Sequence, residues 1–351
     1  MRASTASPRL AVPGRPDAPE APLTAAAAPV AVGLLGLTIS LLFIGRPSIW
    51  YDEAATITAS TRSLGQLWSM LGNVDAVHAA YYLVIHALFD VVGYSPIALR
   101  VPSAIAVGVA AALTVILARL FVRPVPATIA GVVFCLLPRT TWMGTEGRSY
   151  AITAALAALL TIVLVRAIRS RSRRWWVLYT ALVVVSCLVF VYLALVVVAH
   201  GASVLWTASA ARVPRSVPRR WFIASATAAL ALLPFVLVVV AQSGQLHWID
   251  PIDEDTRREV LQTQWFQVSA EFAIAGWALL LFGAVVLLRR QGDLAAVILP
   301  ALVLPTVMLL IATAVYTPLY TPRYLSMCLP FVAIAIGAGI SAMPTDRKSV
   351  V

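Results

Sequence analysis

Apolar runs of the length a helix needs to cross a bilayer recur along this whole chain, and what separates them is largely arginine. A hydrocarbon core ~30 Å thick takes roughly 20 apolar residues in a helix. Such runs stand near 23–44, 97–118, 125–142, 149–165, 221–241, 271–288, 294–314 and 324–342. Residues 177–205 are too long for one crossing and short for two, so they read as two short helices meeting near Tyr192. With 61% hydrophobic and 12% charged residues among 351, and a mean hydropathy of +0.89, the chain is far more apolar than a soluble core requires. The expectation is an all-α polytopic membrane protein of about ten transmembrane helices.

The net charge of +11 would suit a nucleic-acid partner, but the arginines sit in short clusters between apolar runs, the pattern of loops retained in the cytoplasm. The clusters are Arg119 with Arg123, Arg166 to Arg174, Arg212 to Arg220, Arg289 with Arg290, and Arg347 with Lys348. Placing all five inside requires an even number of crossings between neighbours, which the runs supply. Both termini are then cytoplasmic: a Pro-, Ala- and Arg-rich tail over 1–22, and a short tail over 344–351. A cleaved signal peptide competes at the start, but the first run is too long and lacks a small-residue cleavage site before Trp50, so it reads as an anchor. The transmembrane domain covers 23–343. Cys135, Cys187 and Cys328 all lie in apolar runs, which suggests neither disulfides nor a zinc site.

One run does not fit as a crossing. Residues 78–93 carry His78, His86 and Asp90, and counting them as a span would invert the topology. They read as an amphipathic helix at the outer interface, with Tyr81, Tyr82, Leu83, Leu88 and Phe89 turned to lipid or protein. The first external loop, 45–96, becomes a helical cap. Asp52 and Glu53 stand at its start, and the other polar residues of that face are Asp75, His78, Arg100, Glu146, Arg148, the mixed loop Asp250 to Glu259, and Arg323 with Tyr316, Tyr320 and Tyr324. Acids and arginines from separate loops at one membrane depth suit a lipid-linked anionic substrate.

At these residues the chain resembles the integral-membrane glycosyltransferases of the GT-C fold, in particular the bacterial polyprenyl-phosphate-sugar-dependent enzymes related to protein O-mannosyltransferases and aminoarabinose transferases (glycosyltransferase family 39-related). The resemblance rests on Tyr51-Asp52-Glu53-Ala54, on Val77-His78-Ala79-Ala80-Tyr81-Tyr82, on Ala98-Leu99-Arg100-Val101-Pro102-Ser103-Ala104, on Glu146-Gly147-Arg148-Ser149-Tyr150-Ala151 and on Pro322-Arg323-Tyr324, in the family's order across about 30–340. His78 is followed by two alanines where the family has a proline pair, and the chain ends where many relatives continue, which leaves open whether it is complete.

The resemblance implies transfer of a sugar, mannose or another hexose with arabinose-type sugars open, from a polyprenyl-phosphate carrier to a hydroxyl of a glycan, lipid or protein acceptor on the outer face of the plasma membrane. It implies Asp52 as the catalytic acid, serving as general base, and Glu146 as a second acid that helps bind acceptor or metal. Glu53, His78, Arg100, Arg148, Tyr192, Arg323 and Tyr324 are the implied substrate-binding residues. The donor is the lipid-phosphate sugar; no cofactor is certain, and a divalent metal on Asp52, Glu146 and His78 is one reading.

Each assignment has a plainer alternative. Asp52 could cap a helix beginning near Ala54, Glu53 could be a solvated or salt-bridged first-turn acid, and Glu146 could simply pair with Arg148. His78 could be a hydrogen-bonding residue, and Arg100, Arg148 and Arg323 could reach headgroups from helix ends. Arg139 reads as such a snorkelling residue, and Trp175-Trp176-Tyr179 as an interfacial belt. Trp248 could stack on a sugar or anchor its loop. No nucleotide-binding turn is present in the sequence, so the sugar must come from a lipid carrier. The other class considered is a transporter or flippase of lipid-linked or polar solutes, whose site would lie near the midplane. Convergence of Asp52, Glu146 and Arg323 on one cavity is the discriminating geometry.

Overall fold

The structure is a computed structural model describing residues 22–170, 172–267 and 269–344. The two expected tails, apart from Pro22 and Pro344, lie outside the described residues, as do Arg171 and the Arg347–Lys348 cluster. Sixteen α-helices follow one another, and no strand occurs among the described residues: α1 (Pro22–Phe43), α2 (Tyr51–Ser60), α3 (Leu64–Leu71), α4 (Ala79–Val92), α5 (Pro96–Arg119), α6 (Pro124–Leu136), α7 (Pro138–Gly144), α8 (Tyr150–Arg169), α9 (Arg173–Val189), α10 (Ala194–Ser209), α11 (Ser216–Ala241), α12 (Glu254–Arg258), α13 (Gln264–Phe266), α14 (Ala270–Arg290), α15 (Gly292–Val315) and α16 (Leu329–Ala342).

Local chemistry sets these boundaries. Pro96, Pro124 and Pro138 open α5, α6 and α7, where a missing N–H costs nothing. Ser63, Ser95 and Ser269 cap α3, α5 and α14 by accepting from a backbone N–H of the first turn. Pro138 also breaks the third expected span: α6 and α7 meet at 62°. Small residues set the closest approach. A Cβ at Gly283 of α14 would collide with the Ala335 carbonyl of α16, so these two helices touch through backbone. The α16 span, led by a 3₁₀ segment at Pro322–Cys328, is the most enclosed, and α5, α6, α8 and α14 pack around it.

Among the described residues seven helices are long and apolar enough to cross a membrane, or eight if α6 and α7 form one bent span. The count of ten is thus not confirmed, although a helix occupies each expected position. The two that fall short are α1, whose apolar stretch is Ala26–Leu42, and α9, whose 17 residues rise only ~25 Å. α9 and α10 do meet at a break over 190–193, around Tyr192. The first loop is helical, and Tyr81, Tyr82 and Phe89 of α4 are buried against protein.

The alternation of helices sorts the loops onto two ends. One end gathers α2 to α4, the α7–α8 link, the 190–193 break, the stretch after α11 and the approach to the α16 span. The other gathers the described residues of the basic clusters, where an Arg212–Asp293 ion pair at 3.2 Å ties the α10–α11 turn to the start of α15.

Candidate active site

The geometry of this end rests on a pair that the sequence placed among the substrate-binding residues. Glu53, in the first turn of α2, and Arg100, in the first turns of α5, are both fully buried. Arg100 Nε donates to Glu53 Oε1 at 2.7 Å and Nη2 to Oε2 at 2.6 Å. The remaining guanidinium hydrogens reach the carbonyls of Ile44, Pro47 and Ser48, and Glu53 Oε1 also accepts from the Gly147 N–H at 2.8 Å. Arg100 has no donor left for a ligand, and both side chains are sealed from the cavity by burial. The pair instead fixes the link between α1 and α2 against the link between α7 and α8, and so positions the residues on either side: Asp52 on one strand of chain, Glu146 and Arg148 on the other.

Asp52 lies one residue inside α2, whose N-cap is Trp50, and its side chain makes no cap. The helix-cap alternative therefore fails, because the helix begins three residues earlier than the sequence suggested. The carboxylate borders a cavity of about 260 Å³ lined by Tyr51, Asp75, His78, Arg148, Tyr192, Trp248 and Tyr324 among others. Its Oδ2 faces two guanidinium groups, Arg323 Nη2 at 3.5 Å and Arg148 Nη2 at 3.8 Å. Both distances exceed those of a charge-assisted hydrogen bond, so both arginines are only loosely committed to it.

Arg323 opens the final span with its guanidinium over two indole faces, 5.1 Å from the Trp50 ring centre and 4.8 Å from that of Trp248. Snorkelling does not describe it, because it points into an aromatic cage beside Asp52. Arg148 is buried and reaches the Asp52 carbonyl, Thr56 Oγ1 and Tyr82 Oη at 3.3 to 3.4 Å, while its Nη2 lies 3.1 Å from His78 Nε2. Since a guanidinium only donates, His78 Nε2 must accept, which leaves the imidazole neutral with its proton on Nδ1. Burial holds the His78 pKa well below its ordinary value, and the positive charges of Arg148 and Arg323 add to this.

Glu146 is buried beside this cluster without lining the cavity, and neither of its carboxylate oxygens has a hydrogen-bond partner among the described residues. Burial pushes its pKa well above the usual carboxylate range, opposed by Arg148 and reinforced by Asp52. A simple ion pair with Arg148 is not formed. Of the three residues whose convergence was sought, Asp52 and Arg323 meet directly and Glu146 lies within their electrostatic reach.

The residues suggested for a divalent metal do not fit one. Among the described residues no three His, Cys, Asp or Glu side chains are grouped to hold an ion. Asp52 faces two arginines and the imidazole lone pair of His78 is directed at a third-party cation, Arg148, which is an environment arranged for an anion.

No family model matches the chain, and no curated protein matches it in sequence. Among solved structures it is similar to ArnT from Cupriavidus metallidurans bound to undecaprenyl phosphate, with a TM-score of 0.63 and 14% identity over 92% of this chain and 61% of that one. The apo state of the same protein gives 0.62 and 13% over 93% and 61%. This chain has the GT-C fold. It covers about three fifths of the length of the ArnT chain, and at this identity the likeness is one of fold.

Within the GT-C frame, the residues that shape the site without carrying its charge include four already named from sequence, Asp75, Tyr192, Trp248 and Tyr324, and four not singled out for a role, Trp50, Phe190, Gln242 and Gln245. Trp50 and Trp248 cage Arg323. Tyr192 stacks on Tyr324 with ring centres 4.9 Å apart, and both pack against Phe190. Asp75 joins the cap to the stretch after α11: its N–H donates to Gln245 Oε1, the Ala76 N–H to Gln242 Oε1, and its carboxylate accepts from Tyr82 Oη at 3.0 Å. Gln242 and Gln245, polar residues directly after a long apolar helix, were the available signal. Two interfacial assignments are corrected. Arg139 is buried and donates to the carbonyls of Thr263 and Gln264, tying α7 to α13, because a helix end buried in protein needs its carbonyls satisfied. Trp176 and Tyr179 are buried in the bundle, and Tyr179 hydrogen-bonds His200 at 2.9 Å; of that run only Trp175 is partly exposed.

Proposed function

We propose that this protein is a membrane glycosyltransferase that moves a sugar from a polyprenyl-phosphate carrier to an acceptor hydroxyl on the outer face of the membrane. The observation that carries the reading is Asp52, a carboxylate at the wall of a cavity with Arg323 and Arg148 both within 4 Å of one of its oxygens. A base and an anion clamp are the two parts that transfer from a phosphate carrier demands.

The donor phosphate would take up the two guanidinium groups, whose contacts with Asp52 are long, releasing Asp52 to accept a proton. The acceptor oxygen then attacks the anomeric carbon, its proton passes to Asp52, and the carbon–oxygen bond to phosphate breaks with the electron pair going to the phosphate. Charge grows on the bridging oxygen, where Arg323 is best placed to stabilise it. Glu146, buried behind the cavity wall, is the proposed second acid, and the Tyr192–Tyr324 stack offers an apolar wall for the ring. The cavity lies at one end of the bundle and not at its middle, which favours an enzyme over a transporter. Mannose or another hexose is the proposed sugar, with an aminoarabinose-type sugar, the group that ArnT-like architecture brings to mind, as the variant to test beside it.

The test is incubation of membranes containing the protein with labelled polyprenyl-phosphate sugars of several kinds, followed by separation of glycolipid and glycoprotein products. Label transfer that depends on Asp52 is the expected result. No transfer from any carrier-linked sugar, with specific uptake of the intact carrier into vesicles, would reverse the reading in favour of a flippase.

A further inference from the structure

A second groove lies away from Asp52 and shares no lining residue with its cavity. At the end of the bundle that gathers the basic clusters, α9 and α11 flank a groove of about 770 Å³, three times the volume at the candidate active site. Its two walls follow the same order. On α9, Arg173, Val177 and Ala181 succeed one another at i, i+4 and i+8, hence on one face. On α11, Arg219 and Arg220 in the first turns are followed by Ile223. Charge therefore stands at the helix ends and apolar surface continues below it towards the middle of the bundle, which is the profile of a lipid and not of a soluble anion.

Two observations bear on the occupant. The groove opens on the flank most given over to lipid: α11 has only 17% of its apolar window buried inside the molecule, and Val177 and Ile223 are 68% and 51% exposed. Moreover Arg173, Arg219 and Arg220 have no carboxylate or carbonyl partner among the described residues, whereas the neighbouring Arg212 is paired with Asp293. Three unneutralised guanidinium groups at the head of an apolar trough call for a ligand with negative charge at one end and hydrocarbon at the other.

We propose that this groove seats one anionic glycerophospholipid, its phosphate against Arg173, Arg219 and Arg220 and an acyl chain along Val177, Ala181 and Ile223. The site is separate from the proposed transfer site and does not depend on that reading.

Binding of phosphatidylglycerol to the detergent-purified full chain, counted by native mass spectrometry over a lipid titration, tests it. The expected result is one bound lipid in preference to phosphatidylcholine, weakened about fivefold for each arginine removed and so about 25-fold in the R219Q/R220Q variant. Ala181→Trp keeps every charge and fills the trough, and should weaken binding comparably. The control variant R289Q/R290Q, altered in another basic cluster, should bind as the parent does, and melting temperatures establish that all variants are folded. Equal loss in the control would mean diffuse attraction, and equal binding of phosphatidylcholine a merely apolar cleft. Full competition by inorganic phosphate would mean a free-anion site, and stronger retention of undecaprenyl phosphate than of phosphatidylglycerol would make the carrier the occupant. Each of these four outcomes, or unchanged binding in Ala181→Trp, overturns the proposal.

Discussion

Glu53 and Arg100 hold each other through two hydrogen bonds of 2.6 and 2.7 Å, wholly out of water, and every remaining donor of Arg100, with one further bond to Glu53 Oε1, is spent on backbone from two linkers. The pair belongs to the scaffold. Removing one partner strands the other charge, so Glu53→Gln and Arg100→Met should each destabilise the protein by about 3–5 kcal/mol. Exchanging both for apolar residues restores many buried pairs elsewhere. Here it should not, because the Gly147 N–H and the carbonyls of Ile44, Pro47 and Ser48 would lose their partners. Thermal melting of the single variants and of the E53L/R100M double variant checks this; full recovery in the double would show that the pair serves only itself.

Asp52→Asn keeps the side chain's size and costs α2 no cap, but it leaves Arg148 and Arg323 facing a neutral amide, so folded protein is quantified alongside activity. Transfer should fall by about two to four orders of magnitude if the carboxylate is the base. Rates measured with labelled carrier-linked sugar, at equal protein level, decide it. Near-normal turnover would move the role to Glu146.

The charged residues of the site were legible because ionisable groups are conspicuous between apolar runs: Asp52, His78, Arg148 and Arg323 were named from sequence and come within contact of one another. What sequence could not supply was which of them face the cavity. Glu53 and Arg100 carry the same formal charges as Asp52 and Arg323, yet one pair is sealed in backbone contacts and the other is open, a difference that arises only when distant linkers meet. Helix positions were equally legible from apolar runs, but the bend at Pro138 and the shortness of α9 reduced the number of full crossings. Arg139 failed for a related reason: a basic residue near a helix end resembles a snorkelling one until the segment packed over it is known.

Glu146 gives the protein a pH response. Its pKa is raised by burial, so the native state keeps a proton that the unfolded chain releases near 4.5. The sign follows: its stabilisation is fully present below the unfolded pKa and is lost as pH rises through the elevated native value. Glu146→Gln mimics the protonated form at every pH, so it should match the parent in acid and melt at a higher temperature at neutral pH. Melting curves from about pH 4 to 8 supply the comparison. A parallel decline in both proteins would mean that another group titrates.

Topology can be tested with the native cysteines in place, because Cys135, Cys187 and Cys328 are all buried. Position 146 is buried too, so exposed sites are better reporters. An impermeant thiol reagent applied to intact cells should label Asp255→Cys and not Arg219→Cys, both exposed in the structure, if the basic end faces the cytoplasm. The reverse pattern would turn the molecule over and put the Asp52 cavity inside the cell.

Arg323 distinguishes a phosphate grip from simple charge. Its guanidinium is caged by Trp50 and Trp248 and lies 3.5 Å from Asp52, so its orientation is fixed before any donor arrives. A planar fork meets two phosphate oxygens at once and stacks on indole, and a lysine ammonium does neither. Arg323→Lys should therefore be impaired although charge is retained. Arg323→Ala should be worse, losing roughly 2–4 kcal/mol of transition-state stabilisation, the magnitude typical of removing one preorganised donor. Donor affinity and transfer rate measured separately for both variants test these statements. Full activity in Arg323→Lys with unchanged donor affinity in Arg323→Ala would reduce Arg323 to a cation that any base could replace.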